Sequence, residues 1–397
     1  MRDAEQRRPA MRRVGDQLGA VYTPVALLLA AAAWWWSGQP SRFLSVVIVA
    51  TPCPLIIAIP VAIIGAISTA ARRGIIVRDP AALEQIALCR TMILDKTGTL
   101  TYGRPAVTGE HYARGWSRDR VLPLVAALER YSRHPLAGAI VHAAEESGYP
   151  LPDVESLQEA PGAGLVGRVA GSEVRITSRA LAAERFQLPP ETSGLECVVL
   201  IDGQYAATYQ FHDVPRPDSR RFVVHLGSRH GFTRVLLVSG DREAEVRRLA
   251  RSVAIRDVHA ATTPEEKVEI VRRETSRAKT LFVGDGINDA PALLTATVGV
   301  AFGRQSDVTS EAAGVVVIDT SLSKVDELMH ISRRLRRVAL ESAVGGMALS
   351  LGGMLFAAAG MLTPVAGAIL QEVIDFVAVL NALRTSRVHG PLTDVHV

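Results

Sequence analysis

Asp95-Lys96-Thr97-Gly98-Thr99-Leu100-Thr101 follows the apolar run Thr91 to Leu94. A carboxylate at the end of an apolar strand, with threonines and a glycine shaping a phosphate-sized loop, suits a covalent phosphoryl acceptor. Far downstream, Gly284-Asp285-Gly286-Ile287-Asn288-Asp289-Ala290-Pro291 follows a second apolar run, Thr280 to Val283. Its carboxylates suit Mg²⁺, which takes a few protein oxygens beside substrate phosphate and water. Between the two, Ser239-Gly240-Asp241 closes a third run, Val235 to Val238, and offers a hydroxyl and backbone N–H groups. Lys267, in Thr263-Pro264-Glu265-Glu266-Lys267, can neutralise a transferring phosphoryl group. Runs that each end at a polar, Gly-containing turn, with helical-looking segments between them, predict a parallel sheet with crossover helices. The chemistry of such a sheet lies at the carboxyl ends of its strands.

A second unit interrupts this pattern from about Tyr102 to Phe211. Glycines are denser there, and the alternating segments Gly164 to Ile176 and Cys197 to Gln210 predict an antiparallel sheet. Outside the sheet-forming segment, from about Asp79 to His330, the chain holds four apolar stretches. Spans of roughly 20 residues can cross a bilayer, and such stretches run from about Val21 to Trp36, Phe43 to Ala71, Val338 to Leu362 and Pro364 to Leu383. Trp34, Trp35 and Trp36 close the first as an interfacial anchor would. Arg12, Arg13, Arg72, Arg73, Arg78, Arg333, Arg334, Arg336, Arg337, Arg384 and Arg387 flank the spans on one side, whereas Ser37 to Ser41 and Gly360 to Pro364 carry no charge. By the positive-inside rule both termini and the middle segment are cytosolic and the protein is a multi-pass cell-membrane protein.

Composition agrees with this mixed character. The chain is 48% hydrophobic yet 21% charged, with a formal net charge of +4. The arginine excess clusters beside apolar runs, which points to membrane topology rather than nucleic acid. Cys53, Cys89 and Cys197 are widely spaced and form no CxxC pair or disulfide framework, as in a reducing compartment. No short apolar stretch with a small-residue cleavage site follows the N-terminal arginines, so the start does not read as a signal peptide.

Two features of the apolar spans carry chemistry. Thr51-Pro52-Cys53-Pro54 places a soft thiol between prolines that remove N–H donors and loosen a helix. Backbone carbonyls left unpaired at bilayer depth are tolerated only where they line a protected or wet cavity. Gln371-Glu372-Val373-Ile374-Asp375 puts an amide and two acids into an apolar helix, where such groups are costly and functional by default. Residues 371, 372 and 375 are expected close to one helical face, and Asn381 is a further candidate ligand.

The DKTGTLT and GDGINDAP strings, in this order and after strands, resemble the P-type ATPases, built on the haloacid-dehalogenase-like fold. The resemblance implies an α/β phosphorylation domain (79–101 and 212–335) and an inserted α+β nucleotide-binding domain (102–211). Two membrane helices in 1–78 and two in 336–385 flank them, and 386–397 is a cytosolic tail. It also implies ATP and Mg²⁺ as cofactors. Asp95 would be the phosphorylated nucleophile within Asp95-Lys96-Thr97. Asp285 would bind Mg²⁺ with Asp95 and the Thr97 carbonyl, supported by Asp289, while Lys267, Ser239 and Asp241 attend the phosphate. Ser239 stands where the family usually has threonine, and the hydroxyl is kept. Thr97 stands where phosphatases of the superfamily carry a general acid, which argues for a pump over a phosphatase on a membrane anchor. Ser132-Arg133-His134-Pro135-Leu136, preceded by Glu129 and followed by Gly162-Ala163-Gly164, resembles the nucleotide unit of the heavy-metal branch. His134 and Glu129 would contact adenine, beside Pro135, with Gly162 and Gly164 admitting the backbone to the nucleotide.

The pair of TPCP and QE-x-x-D motifs resembles a subgroup associated with nickel and ferrous-iron export. Cys53, Gln371, Glu372 and Asp375 would then hold the transported ion. One thiolate with oxygen donors suits a borderline divalent cation, with Ni²⁺, Fe²⁺, Co²⁺ and Zn²⁺ all compatible. His389 and His396 read as solvated. In the family an actuator domain with a Thr-Gly-Glu loop and further membrane helices precede the segment read here. Thr108-Gly109-Glu110 lies too close to the phosphorylation loop to be that element. The expectation is therefore a segment covering part of the family's architecture, with an actuator-bearing chain as a candidate partner. The alternative reading is a membrane-anchored nucleotide-binding or regulatory protein without transport.

Overall fold

The computed structural model describes residues 10–160, 164–190, 194–285, 289–303, 311–319, 321–387, 390 and 392–393, with side chains described from residue 19 onward. Gly162, Gly286, Ile287, Asn288, His389 and His396 lie outside the described residues. The chain forms two compact units. The first comprises residues through Asp95, Asp218–Gly240 and the chain from Val253, and the second comprises Lys96–Pro217 with Asp241–Ser252.

The first unit holds a sheet of β1 (Ile75–Val77), β2 (Thr91–Asp95), β9 (Arg234–Val238), β10 (Asp257–His259), β11 (Thr280–Gly284), β12 (Val298–Phe302) and β13 (Val315–Val317). Their order is β1-β13-β12-β11-β2-β9-β10, parallel throughout except for β1 against β13. The chain builds outward from β2 in one direction through β9 and β10, then in the other through β11, β12 and β13. The sheet therefore has its topological switch beside β2, where a crevice opens at the carboxyl ends. Strands β2, β11 and β12 are buried along their whole length, as a sheet covered on both faces requires.

Among the described residues, the same unit carries four helices or helix pairs long and apolar enough to cross a membrane: Gly19–Ser37, Pro40–Ala71, Ser323–Ala358 and Pro364–Thr385. The third helix begins well before its apolar part, and the first begins at Ala10, so both are longer than the apolar runs alone indicated. The second is two helices, Pro40–Val49 and Cys53–Ala71, because the prolines of Thr51-Pro52-Cys53-Pro54 interrupt the backbone ladder. Pro54 sits in the first turn of the restarted helix, where a missing N–H costs nothing. Small residues pack the bundle: Ala26, Ala30 and Ala33 meet Val46, Val49, Met354 and Ala357. Large apolar side chains point outward, Trp35 and Trp36 at 86% and 87% exposure and Phe376 at 63%, as lipid-facing residues do.

The second unit is an antiparallel sheet ordered β3-β8-β7-β6-β5-β4. Its strands are β3 (Thr101–Tyr112), β4 (Val154–Ala160), β5 (Gly164–Val169), β6 (Ser172–Thr177), β7 (Leu195–Ile201) and β8 (Gln204–Pro215). The two alternating segments of the sequence are each a hairpin. Ala170-Gly171 and Asp202-Gly203 turn them with positive φ at both central residues, the backbone that matches strand twist. Helices Arg118–Glu129 and Ala137–Glu146 contribute Val121, Leu122, Val125 and Ile140 to a core with Val174, Val199 and Tyr209. Thr108, Gly109 and Glu110 are strand residues of β3, with Glu110 accepting from the Tyr112 hydroxyl at 2.7 Å and paired to Arg118 at 3.2 Å.

Candidate active site

Strand register brings three sequence-distant residues together. Leu94 pairs with Val283 on β11, and Asp95 pairs with Val238 on β9. Asp95 therefore ends its strand beside Gly284-Asp285 on one side and Ser239 on the other. Gly284 is required by close approach, since a Cβ there would stand 2.5 Å from Asp289 Oδ2. Lys267 arrives from the first turn of helix Pro264–Arg277. That helix starts at a capping box: Thr263 Oγ1 accepts from the Glu266 N–H at 3.2 Å, and Glu266 Oε2 accepts from the Thr263 N–H at 2.9 Å. The fixed start aims the lysine inward, where its ammonium donates to Asp95 Oδ1 and Asp289 Oδ1, both at 2.7 Å.

The electrostatics follow from burial. Asp95 and Asp289 are 6% and 2% exposed. Desolvation, then the neighbouring charge of Asp289, raise the Asp95 carboxyl well above the usual carboxylate range, and Lys267 opposes them. Burial would lower the Lys267 ammonium, but Asp95 and Asp289 outweigh it and raise it. Carboxylate oxygens of Asp95, Asp285 and Asp289 lie within 4.8 Å of one another. Asp95, Asp285 and Asp289 form an all-oxygen donor set, and a set of this kind fits a hard divalent cation.

In the second unit, Lys96 is buried and pairs with Asp241 and, at 3.5 Å, with Glu245. The loop after Lys96 is not regular helix: Thr97 is extended (φ −74°, ψ 131°) and exposed, and Gly98 is left-handed (φ 71°). A residue overlooked in the sequence holds this loop. Arg216, 6% exposed, donates from Nε to the Thr99 carbonyl at 2.8 Å and from Nη2 to the Gly98 carbonyl at 2.7 Å. It also lies over the Tyr102 ring at 4.7 Å, and Asp213 accepts from the Thr101 hydroxyl. The available signal was Asp213-Val214-Pro215-Arg216-Pro217-Asp218, charged residues fixed by prolines where the chain leaves the inserted sheet.

The second unit also contains a cavity of about 610 Å³ lined by Glu129, Ser132, His134, Gly164, Ile176 and Cys197, among others. Glu129 is 6% exposed, and its Oε2 is buried without a hydrogen-bond partner. Burial, chiefly, pushes its carboxyl from 4.5 to about 7; Ser132 opposes this and Glu159 adds to it. His134 is exposed, with Nδ1 accepting from the Leu136 N–H at 3.3 Å. Pro135 is exposed and does not line the cavity. Gly164 (φ +93°) has a packing reason of its own: a Cβ there would stand 2.1 Å from the Ile176 carbonyl oxygen.

In the helical bundle, Gln371 joins the two membrane motifs. Its Nε2 donates to the Thr51 carbonyl at 3.3 Å and to Asp375 Oδ1 at 2.9 Å, and its Oε1 accepts from the Ser350 hydroxyl at 3.0 Å. The Thr51 carbonyl is free for this because the Leu55 N–H turns to Pro52 instead. Cys53 is a near neighbour of Asp375. Glu372 is exposed, unlike buried Gln371, because successive helical residues point about 100° apart. Asn381 is engaged elsewhere, donating to the Ser342 hydroxyl at 2.9 Å and accepting from Arg384 at 2.8 Å.

The profile of the haloacid dehalogenase-like hydrolases matches residues 89–297, more than half of the chain. A copper-exporting P-type ATPase of Legionella pneumophila is 32% identical over 351 residues, covering 83% of this chain and 47% of that protein. A probable cobalt/nickel-exporting P-type ATPase of Mycolicibacterium smegmatis is 35% identical over 312 residues, covering 76% and 47%. A crystal structure of a zinc-transporting PIB-type ATPase superposes with a TM-score of 0.82 at 27% identity, over 97% of this chain and 66% of that one. The chain thus spans about half the length of the curated relatives it matches. It belongs to the haloacid dehalogenase-like hydrolase family, and the relatives it matches are heavy-metal-transporting P-type ATPases.

Proposed function

We propose that this chain carries the phosphorylation, nucleotide-binding and ion-site parts of an ATP-driven exporter of a divalent transition metal. The observation that carries this is Lys267 bridging Asp95 and Asp289 at the switch point of a parallel sheet, with Asp285 alongside. In the proposed reaction an Asp95 oxygen attacks the γ-phosphorus of ATP, ADP departs, and the aspartyl phosphate is later hydrolysed to inorganic phosphate. Lys267 opposes the protonation that burial favours at Asp95 and offsets charge on the transferring group. Asp95, Asp285 and Asp289 would hold Mg²⁺, which supplies charge neutralisation on the phosphates. Ser239 is the further phosphate-side candidate of the first unit, and in the second unit Lys96 holds Asp241. ATP is assigned to the cavity of the second unit, where the unpartnered Glu129 Oε2 offers a buried polar contact for a base and His134 lies at the rim.

The transported ion is assigned to Cys53, Gln371, Asp375 and the Thr51 carbonyl. This donor set is mixed sulfur and oxygen, which favours a borderline divalent ion such as Ni²⁺, Co²⁺, Fe²⁺ or Zn²⁺ over Cu⁺. Glu372, on the outward face, has the weakest claim of the motif. The arginine distribution orients both units and the chain ends toward the cytosol. Brief incubation of the purified chain with Mg²⁺ and γ-labelled ATP is expected to yield an acid-stable, hydroxylamine-labile phosphoenzyme. Equal labelling of wild type and Asp95→Asn would overturn the assignment.

A further inference from the structure

A second cluster of ligating side chains lies in the first unit and shares no residue with the sites described above. Helix Ser219–His230 supplies His225 and His230, and the start of helix Ser323–Ala358 supplies Asp326 and His330, one turn apart. His225 Nε2 and His230 Nε2 stand 3.1 Å from each other, and they stand 3.2 and 2.6 Å from the same oxygen, Asp326 Oδ1. His330 Nε2 approaches the other oxygen, Oδ2, at 3.7 Å, and the Thr393 hydroxyl donates to that oxygen at 2.8 Å. One ligand atom from each of the four residues falls within 4.8 Å of all the others.

These spacings have a chemical meaning. Nitrogens bound at about 2.0–2.1 Å to a tetrahedral zinc are about 3.3 Å apart. The nitrogen–nitrogen edge and one of the nitrogen–oxygen edges measured here fall close to that value, so the side chains need little movement to close on one ion. Asp326 is 0% and His230 2% exposed, which leaves a carboxylate charge in a dry place between two helices. Three imidazoles and one carboxylate are borderline donors, with no thiol to draw Cu⁺ and too few oxygens for Mg²⁺ or Ca²⁺.

We propose that His225, His230, Asp326 and His330 form a binding site for a divalent transition-metal ion of the Zn²⁺, Co²⁺ and Ni²⁺ class. The ion staples helix Ser219–His230 to the helix whose later turns are a candidate membrane span. The site is distinct in residues and donor chemistry from both the aspartate cluster and the Cys53–Gln371–Asp375 cluster. It stands whether or not the chain transports metal.

The test is a Co²⁺ titration of the detergent-solubilised full chain carrying Cys53→Ala and Asp375→Asn, in excess Mg²⁺. The expected result is binding of about one equivalent of Co²⁺ with the intense visible absorption of a tetrahedral ion, displaced by Zn²⁺. His225→Ala with His330→Ala in that background is expected to abolish both the band and the equivalent. A titration unchanged by those substitutions, or no visible band in their presence or absence, overturns the proposal. Should the double variant lose its fold by circular dichroism, His330→Gln alone serves, because that side chain is 25% exposed. It is expected to weaken Co²⁺ binding by about tenfold or more, as loss of one group from a metal's surroundings commonly does, and unchanged affinity with the fold intact overturns the site.

Discussion

The aspartate cluster at the sheet and the Gln371 cluster in the bundle both place a carboxylate where water is scarce, and they balance its charge differently. At the sheet, Lys267 is a fixed cation 2.7 Å from two carboxylates. In the bundle, Asp375 is met by the Gln371 amide, a neutral donor. A fixed ammonium opposes the protonation that burial favours at Asp95. Neutral donors leave a carboxylate that a mobile cation can satisfy and then leave. The difference suits one site to chemistry and the other to exchange, since an acid at bilayer depth is costly until something positive arrives.

The largest effect should come from removing the fixed cation. Lys267→Ala leaves two buried carboxylates facing each other, so Asp95 is driven further toward its protonated, non-nucleophilic form. Phosphoenzyme formation at saturating ATP, followed by rapid quench, is expected to slow about 10²-fold or more. Lys267→Arg keeps the charge and should recover part of the rate. A rate for Lys267→Ala within a few-fold of wild type would mean that the bridge is structural only.

A smaller, position-dependent effect is expected in the bundle. The dependence of phosphoenzyme formation on Ni²⁺ or Zn²⁺ should shift to higher metal by about tenfold or more in Gln371→Ala and in Asp375→Asn. Glu372→Gln, one residue away on the exposed face, should stay within about twofold, the range of a surface substitution. Equal shifts in Glu372→Gln and Asp375→Asn would show that the helix turns a different face inward when the ion is bound.

How much of this was readable beforehand depends on how local the encoding is. The strands before Asp95, Ser239 and Asp285 end at polar turns, and parallel sheets put function at such ends, so that cluster was legible from short strings. The prolines of the TPCP segment announced a broken helix for the same local reason. Arg216 was not legible, because its partners Gly98 and Thr99 lie across the whole inserted sheet. Nor was the inward face of Gln371: the pattern marks a costly polar turn in an apolar helix but not its rotation against neighbours. His225 and His230 show no motif with Asp326 and His330, since only the packing of two distant helices brings them together.

Glu129 sharpens the comparison as a buried carboxylate whose shift toward neutrality is not opposed by any named cation. Burial raises its pKa from 4.5 to about 7, so between those values the folded unit binds a proton that the unfolded chain has released. Stability contributed by this residue is therefore complete at acid pH, falls as pH rises through that window, and stays low above it. The size is set by the shift, on the order of 3–4 kcal/mol at one pKa unit per 1.4 kcal/mol. Glu129→Gln mimics the protonated form and removes the dependence. Thermal melts of the nucleotide-free chain should show the variant more stable than wild type at pH 8, with the difference shrinking to nothing near pH 5. Parallel melting curves for the two proteins across that range would mean that the Glu129 carboxylate finds a charge partner in solution.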